Sequence, residues 1–134
     1  MEHYYSSKEP GTLLHIVFRL ADAVGRRNIS PESEFLQLAC ITMSKGQTFL
    51  AHKHNPCEKM ISITQESWVV IQGSVRCILY DLDDSVLAEP VLSPGDCSIT
   101  FRGGHDYVIL VDHTVVYEYK NGPYLGQASD KTFI

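Results

Sequence analysis

From about Phe35 onward the chain is a series of short apolar runs, rich in β-branched and aromatic residues, interrupted at regular intervals by turn formers. The runs are Phe35–Met43, ended by Ser44-Lys45-Gly46; Thr48–His54, ended by Asn55-Pro56; Ser67–Gln72, ended by Gly73; and Val75–Tyr80, ended by Asp81-Leu82-Asp83-Asp84. Then follow Val86–Leu92, closed by Ser93-Pro94-Gly95-Asp96, and Cys97–Phe101, closed by Gly103-Gly104. The last two, Tyr107–Val111 and Val115–Lys120, are separated by Asp112-His113-Thr114. Strand-length runs at this spacing predict an all-β fold, a sandwich or a closed barrel. Upstream the pattern is two-sided. Leu13, Ile16, Val17, Leu20, Ala21 and Val24 fit a helical period, while Leu-His-Ile-Val-Phe suits a strand, and a strand followed by an irregular loop is expected.

With 134 residues, 44% hydrophobic and 20% charged, the chain is one globular domain. The net charge of -5, with no basic run, argues against a nucleic-acid partner. The opening residues, Met1 to Pro10, lack the charged and apolar regions of a signal peptide, and no apolar run reaches bilayer length. A cytoplasmic protein that does not engage a membrane is expected. Cys40, Cys57, Cys77 and Cys97 are far apart with no Cys-x-x-Cys pair, and in a reducing compartment they read as free thiols, although Cys57 sits close to two histidines.

Candidate chemistry gathers in the middle of the chain. His52 and His54 stand at i and i+2, a spacing that places two imidazoles on one face of a strand. Glu66 and His105, on strands predicted downstream, complete a set of three histidines and one carboxylate. Such a shell suits a divalent transition metal, Fe, Mn, Ni, Cu or Zn, and leaves coordination positions open. By strand alternation Trp68 shares the face of Glu66, and Tyr107 that of His105, so both are candidates for a substrate pocket as well as for core. His3 and His113 lie in a polar terminus and a turn, and His15 reads as structural. Gly46, Gly73 and Gly95 read as turn residues, and the acids from Asp81 to Asp84 as a solvated turn.

These residues resemble the cupin superfamily, whose first motif is Gly-x5-His-x-His-x(3,4)-Glu-x6-Gly and whose second is Gly-x5-Pro-x-Gly-x2-His. Gly46 to His54 and Glu66 to Gly73 match the two halves of the first in spacing, with a longer insertion between them. Glu58 satisfies the short spacing from His54 but has no Gly six residues on, so Glu66 is the expected ligand. In the second motif Phe101 stands where Pro is usual, and the interval to His105 is one residue short. The run Glu-Ser-Trp-Val-Val-Ile-Gln-Gly-Ser-Val and the tail from Tyr117 to Phe133 are similar to WbuC-like small cupin metalloproteins associated with surface-sugar gene clusters.

The resemblance implies a single-domain cupin jelly-roll barrel or β-sandwich, with residues 1–34 an N-terminal arm carrying an edge strand and a loop and 35–134 the cupin β-barrel. It implies a metal held by His52, His54, Glu66 and His105 and a small polar ligand, a sugar or nucleotide-sugar of surface-polysaccharide metabolism. A homodimer is also expected. Isomerisation, hydrolysis and oxygenation stay open. The alternatives are a metal-free nucleotide-sugar ketoisomerase or epimerase using paired histidines for acid/base work, and a non-catalytic module that binds a small ligand.

Overall fold

A computed structural model describes residues 1–134. The strands are β1 (Glu2–Tyr5), β2 (Leu13–Phe18), β3 (Arg26–Asn28), β4 (Ala39–Ile41), β5 (Glu66–Gln72), β6 (Val75–Tyr80), β7 (Val86–Ala88), β8 (Val91–Leu92), β9 (Cys97–Thr100), β10 (His105–Ile109) and β11 (Val115–Lys120). Helical structure is confined to a 3₁₀ turn at Leu20–Asp22 and the single turn α1 (Gln127–Asp130). No helix is long and apolar enough to cross a membrane. The chain is all-β.

Three antiparallel sheets form. The largest has the order β1-β2-β9-β5-β11, the second the order β10-β6-β7 with β8 also paired to β6, and the third is β3 with β4. No closed barrel results, because β1 and β11 end the large sheet without meeting each other. Instead the two larger sheets pack face to face. Val17 and Val70 of the large sheet meet Val75, Cys77, Leu79 and Leu92 in one buried cluster.

The outer face of the large sheet is covered as well. Ile16, Phe18, Cys97, Ile99 and Phe101 pack there against Ile29, Leu36, Leu38 and Cys40 from the β3–β4 region. Burial on both faces explains why β2 reads as a continuous apolar run instead of an alternation: Leu14 to Phe18 are all buried. Ile99 is fully buried in this layer, so Ile99→Val is expected to lower stability by about 1 kcal/mol, read as a lower urea midpoint with unchanged slope.

Two sequence expectations need correction. Thr48–His54 is not a strand: residues 42–65 carry no regular structure, and everything from Thr42 to Thr64 is exposed. An extended segment persists only where a neighbouring strand takes its N–H and C=O groups, and none lies beside this one. For the same reason the Phe35–Met43 run shortens to β4, the part that finds β3.

The second concerns Asp81, which is fully buried and not a solvated turn acid. Its carboxylate accepts hydrogen bonds from Ser6 Oγ at 2.6 Å, Ser7 N at 2.7 Å, Ser7 Oγ at 2.8 Å and Leu82 N at 2.7 Å. Burial alone would raise its pKa. Those donors outweigh it and hold the group well below the usual carboxylate range. Asp81 thereby ties the segment after β1 to the β6–β7 turn. Gly73, between β5 and β6, has φ +85°, and a Cβ there would meet the Thr114 side chain, so only glycine suits the turn.

Candidate functional site

The pairing register brings the site together. Within the large sheet His15 lies opposite Thr100, Thr100 opposite Glu66, and Glu66 opposite Lys120, one row across β2, β9, β5 and β11. Two residues along β5, Trp68 lies opposite Ser98 and Glu118. From the facing sheet β10 contributes His105 and Tyr107, again at i and i+2. Each pair meets its counterpart across the gap. Glu66 Oε1 and His105 Nε2 are 3.1 Å apart, and the Trp68 and Tyr107 rings stack at 3.8 Å between centroids and 9° between planes.

These four residues line a cavity of about 620 Å³. One wall comes from the C-terminal tail, where Asp130, Lys131 and Ile134 face the site. The tail is fastened by Thr64 Oγ1, which donates to Asp130 Oδ1 at 2.8 Å, and by Lys120 Nζ, 3.5 Å from Asp130 Oδ2. A pocket of this size walled by aromatic side chains with a few convergent polar groups is the usual form of a small-molecule site.

Glu66 is the electrostatic centre. Oε1 accepts from Trp68 Nε1 at 3.1 Å as well as facing His105, while Oε2 lies 3.5 Å from Lys120 Nζ and 3.8 Å from Lys131 Nζ. Burial pushes the Glu66 carboxyl up, but the His105 hydrogen bond and the charges of Lys131 and Lys120 outweigh it and hold the pKa at about 2. The acid is therefore ionised throughout the physiological range. Lys120 is partly desolvated, yet Glu118 at 3.1 Å and the charge of Glu66 raise it to about 12. The Tyr107 phenol is pushed well above its ordinary value by burial, and its oxygen lies 3.1 Å from Ser98 Oγ.

Beneath the site His15 is fully buried, with Nδ1 3.0 Å from Thr100 Oγ1 and Nε2 2.9 Å from the Tyr80 carbonyl oxygen. A carbonyl only accepts, so Nε2 carries the proton and the Thr100 hydroxyl donates to Nδ1. The ring is the neutral tautomer and is structural, as its sequence position suggested.

The chain matches no known protein family, curated protein or solved structure.

Of the six expected site residues, Glu66, His105, Trp68 and Tyr107 converge; His52 and His54 do not join them. Both histidines lie in the exposed 42–65 segment, their rings 5.5 Å apart at 75°. His52 Nδ1 donates to the Leu50 carbonyl at 2.9 Å, which leaves Nε2 as a free lone pair directed away from the backbone bond. No group of three or more His, Cys, Asp or Glu side chains is gathered in a metal-holding arrangement. Lys120 and Lys131 escaped the sequence reading. Lys120 is visible only once β11 is registered against β5, and Lys131 only once the tail is folded back.

The aromatic stack predicts a measurable coupling. Tyr107→Leu is expected to cost about 1 kcal/mol from the lost ring pair and to shift Trp68 emission to the red as water reaches the indole; denaturant melts and emission spectra check both.

Proposed function

We propose that the protein is a small metal-binding cupin, a jelly-roll β-sandwich that takes a small polar molecule of the sugar or nucleotide-sugar class into the cavity. The observation that carries this reading is the 3.1 Å approach of Glu66 Oε1 to His105 Nε2 at the cavity wall. A carboxylate and an imidazole are donor types that would hold a divalent transition metal, and the structure brings these two together at one point of the wall.

The donor chemistry fits at Glu66, whereas His105 Nδ1 is buried without a hydrogen-bond partner of the kind that steadies a ligating imidazole. A ligating carboxylate needs its second oxygen held, and Glu66 Oε2 is held by Lys120 and Lys131. In the proposed centre His52 and His54, which the structure leaves apart from Glu66 and His105, would complete the ligand set from the exposed segment, His52 through the Nε2 left free by its bond to Leu50. A divalent transition metal bound there would supply Lewis acidity at the positions its protein ligands leave open. The remaining work falls to the chain. Trp68 Nε1 steadies the Glu66 carboxylate, the Trp68–Tyr107 stack walls the cavity, and the tail excludes water from one side.

A second reading rests on the same contact. In it the His105–Glu66 hydrogen bond orients the imidazole for proton transfer beside a ligand carbonyl without a metal. It is favoured by the partners Glu66 already has on both oxygens, and it moves acid/base work from His52 and His54 to His105. Elemental analysis of tag-free protein purified without chelator separates the two: near-stoichiometric transition metal supports the first reading, and less than a small fraction of an equivalent even after supplementation supports the second.

A further inference from the structure

The charges around the cavity narrow the ligand class, given the reading above that this cavity is the functional site. Glu66, Asp106, Glu118 and Asp130 line it, against only Arg102 and Lys131 among the cations. Each nearby cation is already engaged. Arg102 Nη1 is 2.8 Å from Glu34 Oε1, Lys131 Nζ 3.8 Å from Glu66 Oε2, and Lys120 contacts Glu66, Glu118 and Asp130 at 3.5, 3.1 and 3.5 Å.

Phosphate recognition calls for the reverse: cations or backbone N–H groups turned toward the ligand and free to pair with it. A phosphate entering here would meet the Asp106 carboxylate, which no cation neutralises and whose Oδ1 accepts only from Tyr107 N at 2.7 Å, and would compete with three carboxylates for the lysines they hold. Nor is there a slot for a nucleobase between the aromatic rings, since Trp68 and Tyr107 already stack on each other at 3.8 Å. What the wall does offer is the spare lone pairs of the Glu118, Asp130 and Asp106 carboxylates, strong acceptors for hydroxyl hydrogens, beside an apolar aromatic surface.

We infer that the cavity selects a neutral, hydroxyl-rich ligand, a free sugar or polyol, and discriminates against phosphate esters, nucleotide-sugars included. The discrimination is electrostatic. It is therefore greatest at low ionic strength and shrinks as salt screens the acidic wall.

The test is isothermal calorimetry on the full chain as purified, with metal content measured in the same samples. The probes are methyl glycosides of common hexoses and deoxyhexoses and inositol, set against glucose 1-phosphate and UDP-glucose. At least one neutral probe is expected to bind, and its phosphorylated or nucleotide-linked counterpart to bind at least about tenfold more weakly at low salt. Asp106→Asn should narrow that gap, and so should high salt. A phosphate ester binding as tightly as its neutral counterpart, or no neutral probe binding at about 10 mM, overturns the inference. Because metal content is read independently, a protein that holds metal yet prefers phosphate esters refutes this inference alone, and one that binds neutral sugars without metal refutes only the metal reading.

Discussion

Under the proposed metal reading, Glu66→Gln is expected to abolish metal binding, while Glu58→Gln in a parallel preparation leaves it near wild type. A neutral amide is a poor ligand for a dication, and substitutions even of the groups that support a ligand typically cost about 10- to 100-fold in metal affinity, so losing the ligand itself should cost at least about 100-fold. Glu66 is buried at the cavity wall beside His105, whereas Glu58 lies exposed in the 42–65 segment. His105→Ala should reduce metal retention as severely. His52→Ala and His54→Ala carry a sharper message, since these residues are exposed and their loss cannot harm the fold. If both lose metal, the segment joins the centre; if neither does, the ligand set ends at Glu66 and His105. Metal content by elemental analysis reads every variant, with circular dichroism confirming that each is folded.

The second large effect is a loss of stability in mild acid that is traceable to one buried ring. Burial lowers the His15 pKa to about 4, outweighing the Tyr80 carbonyl and Asp81, which raise it, while His105 lowers it further. In the unfolded chain the same ring titrates near about 6.5. Between these values the unfolded state takes up a proton that the folded state refuses. Stability is therefore untouched above about pH 6.5, falls as pH drops through the interval, and has lost about 3 kcal/mol by pH 4. About 2 kcal/mol of this should be gone at pH 5, before carboxylates such as Glu66, held at about 2 when folded, begin to contribute. His15→Gln keeps a donor for the Tyr80 carbonyl and an acceptor for Thr100 but cannot titrate. Urea midpoints at pH 7.5 and 5 should diverge in the wild type and nearly coincide in the variant, and equal slopes in both proteins would remove His15 from the account.

Much of the sandwich was legible because its strands obey local rules. β6 and β11 coincide with the apolar runs Val75–Tyr80 and Val115–Lys120, each bounded by a turn the side chains demand. Alternation placed Trp68 with Glu66 and Tyr107 with His105 before any fold was known, and these two pairs are what the sheets bring face to face. The illegible parts depend on distant partners. β1 and β3 are polar or charged, Glu-His-Tyr-Tyr and Arg-Arg-Asn, and are strands only because β2 and β4 pair with them. Thr48–His54 has the composition of a strand and no partner. Asp81 is buried by Ser6 and Ser7, roughly half the chain away, and the lysines on Glu66 come from a sheet register and a returning tail.

The central claim is that Glu66 and His105 form one edge of a metal centre at the cavity wall. Anomalous X-ray scattering from crystals of manganese- or zinc-loaded protein tests it most directly, because it locates the ion without reference to activity. A single strong peak is expected within bonding distance of Glu66 Oε1 and His105 Nε2, with His52 and His54 brought into the same shell. A peak held by His52 and His54 alone at the protein surface, or none in the cavity at full metal loading, would contradict it.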